Sequence, residues 1–171
     1  MTKEQLAEYN VGENLDALMN LDPRGYGVCR ILYAGSRKYA GNVPVAMNTA
    51  KKIYLLLKNK PESSTVVIMS GFVLRPHLQP ETDGIVGALL FARSLIYGFG
   101  ITPVLCVNEK NISAVKNSAA VMGLHVYNDV STAQKMPFSF AYFSIPENKN
   151  DADEKIKIIL NTVNPEFVFS T

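Results

Sequence analysis

Cysteine, histidine and charged residues are all scarce in this sequence. Its 171 residues include two cysteines and two histidines, and charged residues make up 19% of the chain. Cys29 and Cys106 stand in apolar sequence, which favours two buried thiols over a disulfide framework, and no Cys/His spacing matches a zinc site. We therefore predict neither a disulfide scaffold nor a bound structural metal.

The charge that is present is balanced in sign. The formal net charge is +2, and no block of like charge favours a nucleic-acid partner. The N-terminus lacks the basic flank and apolar run of a signal peptide, and no apolar stretch is predicted to span a membrane. Nucleic acid and membrane are thus not expected as partners, and the cytoplasm is the expected location.

Three common catalytic and nucleotide-binding motifs are also missing. No Gly-x-Gly-x-x-Gly follows the first strand, and neither a P-loop nor a Gly-x-Ser-x-Gly elbow occurs. Dinucleotide, P-loop nucleotide and serine-hydrolase functions therefore lose their main support, and the sequence assigns no cofactor.

What the chain does contain is a hydrophobic content of 47% over 171 residues, enough for one core. We predict a single domain, residues 1–171. Apolar spacing and capping residues predict helices over 2–20 and 24–37, and a third from Pro44 that ends before Pro61.

From Thr65 onward, short apolar runs alternate with helical patterns. The predicted strands are 66–69, 104–107, 124–127, 138–143 and 167–169, and the predicted helices are 84–97, 112–122 and 151–163. This alternation predicts an α/β fold: a three-layer, open, mostly parallel sheet of about five strands with helices on both faces, Rossmann-like without a dinucleotide motif.

Polar residues collect where the first strand leads into its helix, at Glu81-Thr82-Asp83-Gly84. In open α/β sheets, ligands bind at the carboxyl ends of the strands. Backbone N–H groups at a helix start favour a carboxylate or phosphate, while Gly84 and Gly87 allow close approach. A small acidic metabolite is the predicted ligand.

The side chains of this loop supply matching chemistry. Asp83 and Glu81 could hold an amine or exchange protons, and Thr82 offers a hydroxyl. Arg75 could clamp a carboxylate through two hydrogen bonds, and His77 could serve the same proton chemistry. We predict a catalytic set of Asp83, Thr82 and Glu81.

Each of these residues also has an ordinary structural interpretation. Asp83 before a helix could be a simple N-cap, His77 a surface histidine, and the Arg75 stem a cover for apolar surface. Asn108, just past the second predicted strand, is a weaker candidate for the same cleft and could equally form a turn. The convergence of several such residues on one loop favours function.

Three strings of residues resemble a known family. They are Asn20-Leu21-Asp22-Pro23-Arg24-Gly25, Ser70-Gly71-Phe72 and Glu81-Thr82-Asp83-Gly84-x-x-Gly87-Ala88. In order and spacing they are similar to the D-glutamate cyclase C-terminal-like domain, and the resemblance runs from about Asn14 to the end of the chain. It implies a lyase that dehydrates D-glutamate to 5-oxo-D-proline.

Two other functions stay open at this point. One is a non-catalytic domain that binds an acidic metabolite; the other is a metal-assisted enzyme using Asp83, Glu81 and His77. The family resemblance also implies a segment beyond the strand at 167–169, so half of a composite site could be supplied from outside this chain, including by a homo-oligomer.

Overall fold

The structure is a computed structural model that describes residues 1–74 and 79–170. Its seven α-helices are α1 (Lys3–Met19), α2 (Val28–Tyr39), α3 (Val45–Leu57), α4 (Thr82–Phe99), α5 (Ile112–Val121), α6 (Val130–Lys135) and α7 (Lys149–Val163). The strands are β1 (Thr65–Met69), β2 (Val73–Leu74), β3 (Gln79–Pro80), β4 (Thr102–Asn108), β5 (His125–Tyr127), β6 (Ser139–Ile145) and β7 (Val168–Ser170). A single 3₁₀ turn, Glu109–Asn111, joins β4 to α5.

Five strands form one sheet in the order β5-β6-β4-β1-β7, and every neighbouring pair is parallel. β2 and β3 form a separate antiparallel pair. The central strands β1 and β4 are almost entirely buried, which explains why their sequences are continuous apolar runs rather than alternating ones. The predicted α/β fold is confirmed.

Helices cover both faces of this sheet. On one face, Val67 and Val104 pack in a cluster with Ala133 of α6 and Ile159 of α7. Side chains alternate between faces along a strand, so Phe169 of β7 and Tyr142 of β6 belong to the opposite face.

That opposite face carries α4 and α5. The Phe91 ring of α4 lies 4.5 Å from the Phe169 ring, measured between centroids. The Lys116 ammonium of α5 lies 4.9 Å from the centre of the Tyr142 ring. A sheet between two helix layers, all joined by parallel crossovers, is the predicted three-layer arrangement.

The connections that follow the neighbouring strands β4 and β6 lie on opposite faces of the sheet. β4 is followed by α5 on one face, whereas its neighbour β6 is followed by α7 on the other. Adjacent strands whose connections diverge in this way leave a crevice outside their carboxyl ends, where ligands bind in open α/β sheets. The crevice lies beside β1, the strand that leads to the predicted site.

The chain divides into two compact units, Met1–Lys58 and Asn59–Thr171. The first holds α1, α2 and α3, and the second holds the sheet with its helices. The expectation of a single domain over 1–171 stays a prediction.

Within the helical unit, buried Asp16 joins the three helices. Its carboxylate accepts hydrogen bonds from the backbone N–H groups of Val45 and Ala46 at 2.6 and 2.9 Å and from the Tyr33 hydroxyl at 2.9 Å. These donors compensate for burying a charge and cap the start of α3, which has no side-chain cap of its own. At Gly12, an added Cβ would lie 2.8 Å from Met47 and Pro44, so α1 approaches α3 closely there.

Glu13 and Arg37 form an ion pair that ties α1 to α2. Arg37 Nη1 donates to Glu13 Oε2 at 2.7 Å, and Arg37 Nη2 donates to the Tyr9 hydroxyl at 3.0 Å. The hydrogen bond from Arg37, with a smaller one from Tyr9, lowers the pKa of Glu13 from 4.5 to about 2. The charged carboxylate is therefore the form that the folded unit stabilises.

A pH dependence of helix stability follows from this depressed pKa. The contribution of Glu13 is fully present above about pH 4.5 and is lost as the pH falls toward about 2. We expect Glu13→Gln to lower the unfolding temperature of the helical unit near neutral pH, and this difference from the unmodified protein to shrink as the pH falls. Circular dichroism melts measure it, with Glu4→Gln as the control on the same helix; a difference that is constant with pH would contradict the assignment.

Several element boundaries differ from those predicted. The second helix begins at Val28 instead of residue 24, because Gly25 and Gly27 adopt left-handed φ values of 69° and 75° that end a helical path. Asp22 does not cap α2, which has no side-chain capping hydrogen bond; its carboxylate accepts from the Gly27 N–H at 2.5 Å. Helix α6 and the β2–β3 hairpin were not predicted.

Helix α4 contradicts the expectation that no segment is apolar and long enough to cross a membrane. Thr82–Phe99 meets that criterion by length and composition alone, and it is the only such helix in the part of the chain that is described. One helix of this kind is weak evidence for a membrane span, since Ile85, Leu89 and Leu95 are buried in the core. The cytoplasmic location stays a prediction.

Candidate functional site

The site begins where β1 ends, at a bend that only glycine accommodates. Ser70 continues the sheet by donating its N–H to the Cys106 carbonyl at 3.1 Å. Gly71 then adopts φ 109°, and its carbonyl accepts from Asn111 Nδ2 at 2.8 Å. A Cβ on Gly71 would lie 2.6 Å from that nitrogen, so the bend and the amide exclude any side chain at this position.

The antiparallel pairing of β2 with β3 brings the chain back beside the end of β1. Val73 pairs with Pro80 across β2 and β3, and the Glu81 N–H donates to the Phe72 carbonyl at 3.0 Å. Glu81 is thereby held beside the end of β1. The hairpin explains how residues ten positions apart in the sequence line one cavity.

Helix α4 starts two residues earlier than an Asp83 cap requires. Its first residue is Thr82, its N-cap is Glu81, and the Glu81 side chain makes no capping hydrogen bond. Asp83 lies inside the first turn, where its Oδ1 accepts from the adjacent Gly84 N–H at 2.9 Å. The interpretation of Asp83 as an ordinary N-cap is therefore wrong.

This first turn opens into a cavity of about 310 Å³. The described residues that line it come from the end of β1 and from the start of α4: Ser70, Gly71, Phe72, Glu81, Asp83 and Gly84. Three predicted site residues are therefore brought together. The cavity combines two carboxylates with the positive end of a helix dipole.

Two smaller cavities continue along the carboxyl edge of the sheet. One, of about 220 Å³, is lined by Met69, Ser70, Gly71, Phe72 and Ser170. The other, of about 140 Å³, lies at the β4–β6 crevice and is lined by Met69, Ser70, Cys106, Val107, Asn108, Ile145 and Pro146. Ser70 borders all three cavities.

The one cysteine at this edge is not suited to nucleophilic chemistry. Burial raises the pKa of the Cys106 thiol to about 12, so the thiol stays protonated near neutral pH. Cys106 is buried as predicted, whereas Cys29 is only half-buried. The candidate chemical groups of the described residues at this edge are therefore oxygen and nitrogen groups.

A comparison with protein-family models identifies the family of this chain. The family described as D-glutamate cyclase-like, C-terminal, matches residues 15–166. The chain belongs to this family. The match covers Ser70 to Phe72 and the Glu81 to Ala88 string, and it confirms the predicted resemblance. No curated protein and no solved structure gives a significant match to the chain.

In this D-glutamate cyclase-like chain, the remaining predicted residues lie in different places. Thr82 is exposed at the start of α4. Asn108 borders the β4–β6 crevice, and its Oδ1 accepts from the Lys110 N–H at 2.9 Å. Arg75 and His77 lie outside the described residues. The roles of these four residues in the family reaction stay predictions.

Asn111 supports the candidate site from a separate segment, and the sequence did not reveal it. It is fully buried, and its Oδ1 has no hydrogen-bond partner among the described residues. Its Nδ2 holds the Gly71 carbonyl, so the amide fixes the bend that carries Ser70 and Phe72. Asparagine after a strand is typical of a turn, and only the fold reveals that its side chain reaches back to β1.

Gly87 of the family string is exposed on α4, and no atom lies within 4 Å of the position that a Cβ would take. Packing within the described chain therefore does not require a glycine here. We expect Gly87→Ala to stabilise the protein by up to about 1 kcal/mol, because alanine favours a helix interior over glycine. Chemical denaturation measures this, and a loss of stability would contradict the exposed position.

Metal assistance was the third interpretation of this family site. Among residues 1–74 and 79–170 there is no group of three His, Cys, Asp or Glu side chains placed to hold a metal ion. Glu81 and Asp83 supply two carboxylates at one cavity, and the third ligand considered, His77, lies outside the described residues. The metal alternative therefore gains no support from the described chain.

Proposed function

We propose that the cavity at the start of α4 binds D-glutamate, and that the chain catalyses its dehydrative cyclisation to 5-oxo-D-proline. One observation carries the proposal. The chain belongs to the D-glutamate cyclase-like family, and the first turn of its helix α4 faces a cavity that Glu81 and Asp83 line. The side chain of the N-cap residue makes no capping hydrogen bond there.

The groups around the cavity match the charges of such a substrate. D-glutamate carries two carboxylates and one ammonium. The backbone N–H groups at the start of α4 suit one carboxylate, while Asp83 and Glu81 suit the ammonium. At about 310 Å³, the cavity lies at the small end of the range for ligand pockets, which favours a metabolite over a larger ligand.

The reaction needs a base, a nucleophile held close, and stabilisation of an oxyanion. In our proposal, Asp83 accepts a proton from the ammonium and the amine attacks the distal carboxyl carbon. A C–N bond forms and a C–O bond breaks. The two protons lost by nitrogen leave with that carboxyl oxygen as water, so Asp83 ends the cycle ionised as it began.

The oxyanion that develops during the attack lies where the helix start can act on it. Backbone N–H groups of the first turn, or the Thr82 hydroxyl, would donate hydrogen bonds to it, because preorganised donors aimed at a developing charge stabilise the transition state. Arg75 is proposed to clamp the second carboxylate, and His77 to assist proton transfer. Glu81 would hold the ammonium until Asp83 deprotonates it.

Incubating the purified chain with D-glutamate, L-glutamate and D-aspartate tests the proposal. We expect 5-oxoproline, identified by chiral chromatography and mass spectrometry, from D-glutamate alone. D-aspartate is the size control, because its shorter chain cannot close the five-membered ring.

A parallel binding measurement separates the two functions that this cavity could serve. Isothermal titration that gives saturable D-glutamate binding without product would support the non-catalytic acidic-metabolite module instead. The absence of both binding and product would contradict both functions.

A further inference from the structure

The backbone of Phe72 is fixed on both sides just after the end of β1. Its carbonyl accepts from the Glu81 N–H at 3.0 Å, and the carbonyl of the preceding Gly71 accepts from Asn111 Nδ2 at 2.8 Å. Phe72 itself is 72% exposed, so packing of its ring contributes little to this arrangement. Hydrogen bonds from two other segments of the chain therefore set the orientation of the two peptide groups that flank Phe72.

Asn111 uses only half of its side-chain amide. The residue is fully buried, and its Oδ1 has no hydrogen-bond partner among the described residues. Leaving a buried acceptor unpaired costs about 1–3 kcal/mol, and each such group in a folded protein calls for an explanation. Within the described chain, the one hydrogen bond that this side chain makes is to the Gly71 carbonyl. The reason for an asparagine here therefore lies at the Gly71–Phe72 peptide.

Holding the Gly71 carbonyl also sets the direction of the Phe72 N–H. A trans peptide group is planar, so its carbonyl and its N–H point in opposite directions. With the carbonyl turned toward Asn111, the N–H is turned away from it. Asn111 lines none of the three cavities at this edge, whereas Gly71 and Phe72 line both the cavity of about 310 Å³ and that of about 220 Å³. The constrained peptide is thus part of the cavity wall, with its N–H on the edge opposite Asn111.

The N–H groups of this wall are available to a ligand. No described residue accepts a hydrogen bond from the N–H of Gly71 or of Phe72. At the same cavity, the first N–H groups of α4 have no backbone partner within the helix, and the Glu81 side chain does not cap them. Donors from two segments, the end of β1 and the start of α4, therefore border one cavity.

We propose that the Phe72 N–H donates to the oxyanion formed during cyclisation, and that Asn111 is the positioning residue that aims it. The inference rests on the proposed reaction of D-glutamate. As the amine nitrogen bonds to the distal carboxyl carbon, the π electron pair of that carboxyl moves to the oxygen that stays in the product. The Phe72 N–H donates to this oxygen. The pair returns to the carbon–oxygen bond when the other C–O bond breaks and water leaves.

A donor on a constrained peptide suits this task. Donors already aimed at the developing charge need no reorganisation during the reaction, and losing one lowers kcat by about 10²–10³-fold. Helix α4 supplies donors from one segment and the Gly71–Phe72 peptide supplies one from another. The hydrogen bond from Asn111 keeps the second donor in place before the substrate binds.

Replacing Phe72 by phenyllactic acid tests the donor itself, because this backbone ester keeps the side chain and removes the N–H. We expect kcat for D-glutamate to fall by about 100-fold or more with KM nearly unchanged, since the lost interaction belongs to the transition state. The same replacement at Phe138 is the matched control. Phe138 lines none of the three cavities, and no described residue accepts from its N–H, so its ester keeps full turnover.

Combining that ester with Asn111→Ala tests the positioning residue. In the all-amide protein, Asn111→Ala is expected to lower kcat by about 10–100-fold, because the donor is no longer held in line with the oxyanion. In the Phe72 ester protein, the same change has no further effect on kcat, since the donor that Asn111 positions is already absent. A purely structural asparagine would lower kcat by the same factor in both proteins, and that result would overturn the positioning role.

The outcomes separate this inference from the function on which it rests. An unmodified chain that forms no 5-oxoproline from D-glutamate overturns the proposed function and the inference together. An active unmodified chain whose Phe72 ester keeps its full kcat overturns the inference alone. Urea denaturation of each variant shows that the comparison is made between folded proteins.

Discussion

Replacing Asp83 by asparagine is expected to lower kcat/KM for D-glutamate by about 100-fold or more, the usual contribution of a general base. Asn keeps an oxygen that can accept from the Gly84 N–H, as Asp83 Oδ1 does at 2.9 Å, but it cannot take the ammonium proton. Helix α4 should therefore fold normally. Steady-state rates of 5-oxoproline formation measure the loss.

The matched control for this variant is Asp151→Asn. Asp151 is the acidic residue of the first turn of α7, so its replacement removes the same favourable charge from a helix start, a change of about 0.3–1 kcal/mol in stability. It does not line the α4 cavity. We expect unchanged turnover for Asp151→Asn, and full turnover by Asp83→Asn would exclude Asp83 as the base.

Replacing Gly71 by alanine is expected to destabilise the protein by about 1–3 kcal/mol and to remove activity. A side chain at φ 109° is strained, and the new Cβ would meet Asn111 Nδ2 at 2.6 Å. The bend that carries Ser70 and Phe72 must shift in response. Urea denaturation measures the stability, and D-glutamate turnover measures the site.

Two comparisons test the cause of that loss. Gly87→Ala adds the same methyl group at an exposed helical glycine, where it is expected to stabilise. In an Asn111→Ala background the steric part of the Gly71→Ala penalty disappears, so the two changes should be non-additive. A Gly71→Ala protein as stable as the unmodified one would contradict the close approach of Asn111.

The sheet was predictable because its local signals agree with one another. Buried strands such as Thr65–Met69 and Thr102–Asn108 are continuous apolar runs, and polar breaks and helical patterns separate them. Such consistency across levels points to one fold. The order of the strands, and hence the β4–β6 crevice, depends on long-range pairing that no local pattern encodes.

The elements that escaped prediction are short or depend on tertiary contacts. Helix α6 has six residues, too few for a periodic pattern to be recognised. The hairpin of β2 and β3 has two residues a strand. The start of α2 was placed too early because Asp22-Pro23 signals a helix, while the two left-handed glycines that follow it delay the start.

At the site, the sequence identified the residues whose chemistry is explicit. Glu81, Asp83 and Gly84 do line one cavity. Ser70 and Asn111 were missed as site residues because a serine after a strand and an asparagine in a turn are common everywhere. Their importance comes from position: Ser70 borders three cavities, and Asn111 holds Gly71 from a separate segment.

The central claim is that the start of α4 is where D-glutamate binds, and an NMR titration tests it most directly. D-glutamate is added to ¹⁵N-labelled protein while the backbone amide signals are followed. We predict saturable shifts of the Thr82, Asp83 and Gly84 signals, with the signal of Gly100, at the far end of α4, unchanged. Saturable shifts confined to residues of the helical unit, Met1–Lys58, with the α4 start unmoved, would contradict the account.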